Sequence, residues 1–175
     1  IPATNILVVD DTIESLKLLT EILTRAGYQV RPADGPHVAL ESALAHPPDL
    51  ILLDVMMPVV NGYEVCERLK ADDATRNIPI VMLSAMAQSE SVDKGLSAGA
   101  VDYVTKPFDF TVVLARVQTQ LQLKRSRQAL ASAHRRMKKD LEAAAKIQAS
   151  LLPVDRVIDF DVRANRGVTV RAASG

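Results

Sequence analysis

The chain of 175 residues has no Trp, three Tyr, three Phe and one Cys. A core without large rings has to be packed from Leu, Ile, Val, Ala and Met. One cysteine, Cys66, cannot form an internal disulfide, so a disulfide scaffold is excluded and a reducing, cytoplasmic setting is expected. No apolar run approaches the ~20 residues needed to cross a bilayer, and no secretory signal pattern opens the chain, so no membrane role is expected. The chain begins Ile1-Pro2 without Met, and a trimmed N-terminus is expected. Hydrophobic residues make up 48% and charged residues 24%, which excludes a disordered or collagen-like chain.

The net charge of zero conceals a segregation. Residues 1–115 carry 16 acidic against 8 basic side chains, whereas residues 116–150 carry 2 against 9. An acidic globular region followed by a basic extension is expected.

Within the acidic region, apolar and amphipathic segments alternate. Ile6-Leu7-Val8-Val9, Leu50-Ile51-Leu52-Leu53 and Ile80-Val81-Met82-Leu83 are short, continuous apolar runs, the pattern of strands buried on both faces. Tyr28 to Val30 and Val101 to Val104 read as two weaker strands. Between them lie helical stretches. In residues 13–26, Ile13, Leu16, Leu19, Ile22 and Leu23 share one face, and Gly27 stops the helix. Further helices are expected over 36–45, 61–71 and 89–98 and from about Asp109. Five strands alternating with five helices give an α/β fold, a parallel sheet doubly wound by helices on both faces. Ligands of such sheets sit beyond the C-terminal strand ends.

The residues at those ends carry the chemistry. Asp10 and Asp11 follow the first strand and Asp54 the third. Ser84 follows the fourth, and Lys106, beside Pro107, follows the fifth. Converging carboxylates repel one another and call for a cation. All-oxygen donors suit Mg²⁺, with Mn²⁺ as an alternative. A lysine beside them suits a phosphoryl group, and a serine hydroxyl can hydrogen-bond the same oxygens. Each feature alone is weak, since an Asp at a strand end is often only a helix cap; the set of five is specific.

The segments around Asp10-Asp11, around Asp54-Val55-Met56-Met57-Pro58-Val59-Val60-Asn61-Gly62, at Leu83-Ser84-Ala85 and at Tyr103-Val104-Thr105-Lys106-Pro107-Phe108 closely resemble the receiver domain of two-component response regulators, over about residues 4–122. The resemblance implies a flavodoxin-like sheet and a set of roles. Asp54 would take a phosphoryl group from a histidine kinase or phosphotransfer protein. Asp10, Asp11, Asp54 and the backbone carbonyl of Met56 would hold Mg²⁺. Lys106 would pair with the phosphoryl oxygens. Ser84 would swing toward them while Tyr103 turns inward as the switch. Pro107 would follow a cis peptide bond, and Gly62 would let the loop after Asp54 close. Cys66, mid-helix without a His or Asp partner, reads as a core residue, and the scattered His37, His46 and His134 show no ligand spacing. An aspartyl-phosphate hydrolase would need an Asp-x-Asp loop after the first strand, which Asp10-Asp11-Thr12 does not provide.

From Thr111 to Leu152 there is neither Gly nor Pro, and good helix formers dominate. Leu123, Leu130, Met137, Ala144 and Leu151 recur every seven residues, so a coiled-coil-type extension of the last helix and a homodimer through it are expected. Basic residues such as Lys124, Arg125, Arg135 and Arg136 lack a helix-turn-helix context or interleaved aromatics, and no DNA binding is expected. Three segments follow: a receiver over 1–122, a helical linker over 123–152, and the start of an output domain or a tail over 153–175. Residues 141–153 are similar to the lead-in helix of metal-dependent serine/threonine phosphatases of bacterial stress-response and sporulation signalling. The stretch Phe160 to Ala164, with Ala173-Ser174-Gly175, is similar to that domain's first strands. The metal-binding carboxylates of such a phosphatase are absent, so the chain itself is expected to be a regulatory phosphoacceptor and not an enzyme. Two other readings are a coiled-coil adaptor whose receiver works by protein contact, and a regulator of a diguanylate cyclase.

Overall fold

The structure, a computed structural model, describes residues 4–85 and 89–151. The described residues fall into two units that divide between Ala131 and Ser132. In order, the elements are β1 (Asn5–Val9), α1 (Ile13–Arg25), β2 (Gln29–Ala33), α2 (Pro36–Ala45), β3 (Leu50–Asp54), α3 (Gly62–Ala71), β4 (Ile80–Ser84), α4 (Ser89–Ser97), β5 (Asp102–Thr105) and α5 (Phe110–Leu151). The five strands form one parallel sheet in the order β2-β1-β3-β4-β5. The chain winds one way from β1 to β2 and the other way from β1 to β3, so the strand order reverses beside the tips of β1 and β3.

Period-two alternation divides the apolar runs between two cores. Leu7, Val9, Ile51, Leu53, Ile80 and Met82 face the side that holds Ala39 and Ala43 of α2 and Val65, Cys66 and Leu69 of α3. Ile6, Val8, Leu50, Leu52, Val81 and Leu83 face the other side, against Leu19 and Leu23 of α1 and Val113, Val117 and Leu121 of α5. Every residue of β3 and β4 is buried. Each fully buried Leu or Ile contributes about 1.5–3 kcal/mol relative to exposure, so the central strands anchor the fold.

Several details depart from the sequence expectation. β2 continues past its expected end at Val30 to Ala33 and includes Pro32. It is an edge strand, where a residue without N–H is tolerated. β5 lies slightly later than expected, over Asp102–Thr105. Ile13 does not share the buried face of α1: it is 59% exposed. It opens the helix, and the buried residues of α1 are Leu19 and Leu23, further along. The helix expected from about Asp109 runs unbroken to Leu151 as α5. The segment 153–175 and the phosphatase-like strands expected there lie outside the described residues. No described helix is long and apolar enough to cross a membrane.

Candidate functional site

The strand tips bring the expected site residues together. Asp10 is fully buried just past β1, and its Oδ1 accepts from the backbone N–H of Thr12 at 2.8 Å, an Asx turn that aims the other oxygen into the pocket. Asp54 ends β3 and is 2% exposed, while Asp11 lies open to solvent. One carboxylate oxygen from each of Asp10, Asp11 and Asp54 lies within 4.8 Å of the others. Lys106 reaches in from the β5–α5 loop. Its Nζ lies 2.7 Å from Asp10 Oδ2 and 3.0 Å from Asp54 Oδ1. Its backbone N–H donates to the carbonyl of Ser84 at 2.7 Å, which ties the lysine to the end of β4. The Lys106–Pro107 peptide is cis. The Nζ also lies 5.6 Å from the centroid of the Phe108 ring, a partner that sequence reasoning did not single out.

These contacts set the electrostatics. Burial raises the Asp54 pKa above the ordinary carboxylate value. The hydrogen bond from Lys106 pulls it back, Asp10's charge pushes it up again, and the backbone N–H of Met56 helps the charged form. Burial alone would lower the Lys106 pKa, but its hydrogen bonds to Asp10 and Asp54 and their charges outweigh that, so the ammonium is held more firmly than usual. Three carboxylates thus face one ammonium. The residual negative charge and the hard oxygen donors fit a divalent cation such as Mg²⁺.

The loop after Asp54 packs against it closely. Gly62 N–H donates to the carbonyl of Val55 at 2.9 Å, and a Cβ on Gly62 would overlap the carbonyl oxygen of Asp54 and fall 2.9 Å from the Cα of Val55. Only glycine allows that approach. Asn61, which sequence reasoning passed over, caps α3 by accepting from the Glu64 N–H at 3.0 Å. Met56 is 66% exposed, and it meets Asp54 through its backbone N–H. Val59 stands at φ 72 and is fully exposed, a left-handed conformation unusual for a β-branched residue.

Ser84 ends β4 and is buried. Together with Val55, Met82, Gly95, Leu96 and Tyr103 it lines a cavity of about 10 Å³, room for about one water. Tyr103, one of these lining residues, is 36% exposed. Cys66 is buried on α3, its thiol donating to the carbonyl of Ala98 at 3.4 Å, and burial pushes its pKa up to about 11.

The family model of the response regulator receiver domain matches residues 6–118. The chain belongs to the response regulator receiver family. This family's members are regulatory phosphoacceptors of two-component signalling. The chain is 45% identical over 120 residues to the response regulator PleD of Caulobacter vibrioides, covering 68% of this chain and 26% of PleD. It is 38% identical over 125 residues to a probable cyclic di-GMP phosphodiesterase of Vibrio cholerae, covering 71% and 28%. The chain therefore spans about a quarter of the length of these relatives. A putative response regulator from Chloroflexus aurantiacus superposes with a TM-score of 0.66 at 34% identity, covering 69% of this chain and 98% of that one. In this receiver the residues gathered around Asp54 come from loops and strand ends far apart in sequence.

Proposed function

We propose that Asp54 is the phosphoacceptor of this receiver and that Asp10, Asp11 and Lys106 are the groups that make the transfer possible. The observation that carries the reading is Lys106 Nζ bridging two buried carboxylates at 2.7 and 3.0 Å. In the proposed step one oxygen of Asp54 attacks the phosphorus of a phosphohistidine. The new O–P bond forms as the P–N bond breaks, and the imidazole leaves with its electron pair. Reactions of this kind are governed by positioning and by neutralising charge on the equatorial oxygens. Asp10 Oδ1 is tied down by Thr12, and the Met56 N–H steadies Asp54, so the attacking carboxylate is oriented before a donor arrives. Lys106 exchanges some of its contact with Asp54 for a phosphoryl oxygen. Asp10, Asp11, Asp54 and the carbonyl of Met56 would hold Mg²⁺, which when bound supplies compensating positive charge. Ser84 would donate to the phosphoryl group, and Tyr103 would fill the space beside it.

The partner in this proposal is a histidine kinase or phosphotransfer protein, in the cytoplasm. The output lies beyond a receiver of about residues 1–122 and a helical linker of 123–152. On the strength of residues 141–153 we take that output to be a metal-dependent serine/threonine phosphatase that does not bind DNA. The phosphoacceptor reading is tested by loading the chain from acetyl phosphate with Mg²⁺ and following the added mass. The expected adduct is hydroxylamine-sensitive and absent from Asp54→Asn. Full incorporation by Asp54→Asn would overturn the assignment.

A further inference from the structure

Residues 132–151 form the last turns of α5, and from Ala133 to Leu151 every residue is exposed. Most helical stability in proteins comes from packing of an apolar face, and this stretch has none of its own chain packed against it. The sequence states what kind of partner suits it. In a heptad frame with Met137, Ala144 and Leu151 at d, the a positions fall on His134, Leu141 and Gln148. Met137, Leu141 and Leu151 are 60%, 66% and 75% exposed. All seven charged residues of the segment (Arg135, Arg136, Lys138, Lys139, Asp140, Glu142 and Lys146) fall outside a and d. A 3.5-residue repeat keeps its seam only against another helix with the same repeat, because both must supercoil together.

The two polar a residues identify that helix. Neutral histidine and glutamine each carry a donor and an acceptor, so each can hydrogen-bond its own copy across a twofold axis. Arginine and lysine, donors only, cannot. Ile147 at g, 60% exposed, would shield the glutamine pair from water. We infer that residues 132–151 pair with the same residues of a second copy in a parallel, in-register two-stranded coil, with His134 against His134 and Gln148 against Gln148. Polar a layers of this sort trade some stability for a single register and orientation.

The full chain tests this, with Cys66 left buried as an internal control. His134→Cys and Gln148→Cys should each give a covalent dimer on mild oxidation, and Lys139→Cys, on the outer f position, should give at least tenfold less. Leu141→Glu places two carboxylates in the seam and should weaken dimerisation about 100-fold by sedimentation equilibrium while the receiver's calorimetric transition stays in place. Cross-links found only in mixtures of the 134 and 148 variants would mean an antiparallel pair and overturn the inference. Equal cross-linking at 139, or a chain that stays monomeric at tens of micromolar, would overturn it as well.

Discussion

Replacing Lys106 with Met isolates the electrostatics of the pocket. The side chain length is kept and the ammonium is lost. Asp10 is then fully buried and Asp54 nearly so, with Asp11 alongside and no ammonium between them. Breaking a buried pair by removing one partner costs about 3–5 kcal/mol. The pocket opens to solvent at Asp11 and Lys106 itself is 21% exposed, so the low end applies, about 3 kcal/mol. For a chain of this size that is a fall in Tm of roughly 10 °C. Because the folded-state pKa of Lys106 is raised, the stability it supplies in wild type is fully present below pH 10.5, its ordinary value, and is lost only as pH rises through the raised one. A comparison near neutral pH therefore reads the whole effect. Calorimetry in EDTA should show the full loss. In saturating Mg²⁺ the gap should close by at least half, which requires the variant, with one positive charge fewer beside the carboxylates, to bind the cation about tenfold more tightly than wild type. A loss under about 1 kcal/mol in EDTA, or an identical loss with and without Mg²⁺, would refute the reasoning.

Gly62→Ala should cost about 2–3 kcal/mol and slow phosphoryl uptake at least tenfold, because its Cβ would overlap the Asp54 carbonyl; wild-type uptake from acetyl phosphate would contradict the packing described. Asn61→Ala should lower stability by about 1 kcal/mol in urea unfolding through loss of the α3 cap, and Asn61→Asp should retain most of it. Between about pH 9 and 11 the unfolded thiol of Cys66 ionises while the folded one stays protonated, so wild-type stability falls there by about 2 kcal/mol more than that of Cys66→Ala. Parallel stability profiles for the two proteins across that range would count against the buried thiol.

The sequence made the central strands plain because β1, β3 and β4 are covered on both sides and so carry unbroken apolar runs. β2 and β5 read poorly because they are edges; Gln29, Pro32 and Tyr103 sit in strands without the composition of one. Asp10, Asp54, Ser84 and Lys106 were legible as a group once parallel topology was accepted, since that topology sends every strand tip to one rim. Nothing in the pattern announced which carboxylates Lys106 would hold, because that depends on how a long side chain crosses between strand tips. Phe108 near the ammonium carried one signal, an aromatic two residues past the lysine. Ile13 misled because helical spacing says which residues share a face but not how far along the helix the neighbouring sheet extends.

The alternation of the strands has one more consequence. Asp54 continues the parity of Leu50 and Leu52, which point toward α1 and α5, whereas Ser84 continues that of Ile80 and Met82, which point toward α2 and α3. Tyr103 borders the cavity on the same side as Ser84. Asp54 and Tyr103 are thus on opposite faces of a wall one polypeptide thick. Under the proposed function, a signal from the aspartate to the tyrosine's face would have to pass over the top edge of that wall, where the small side chain of Ser84 stands.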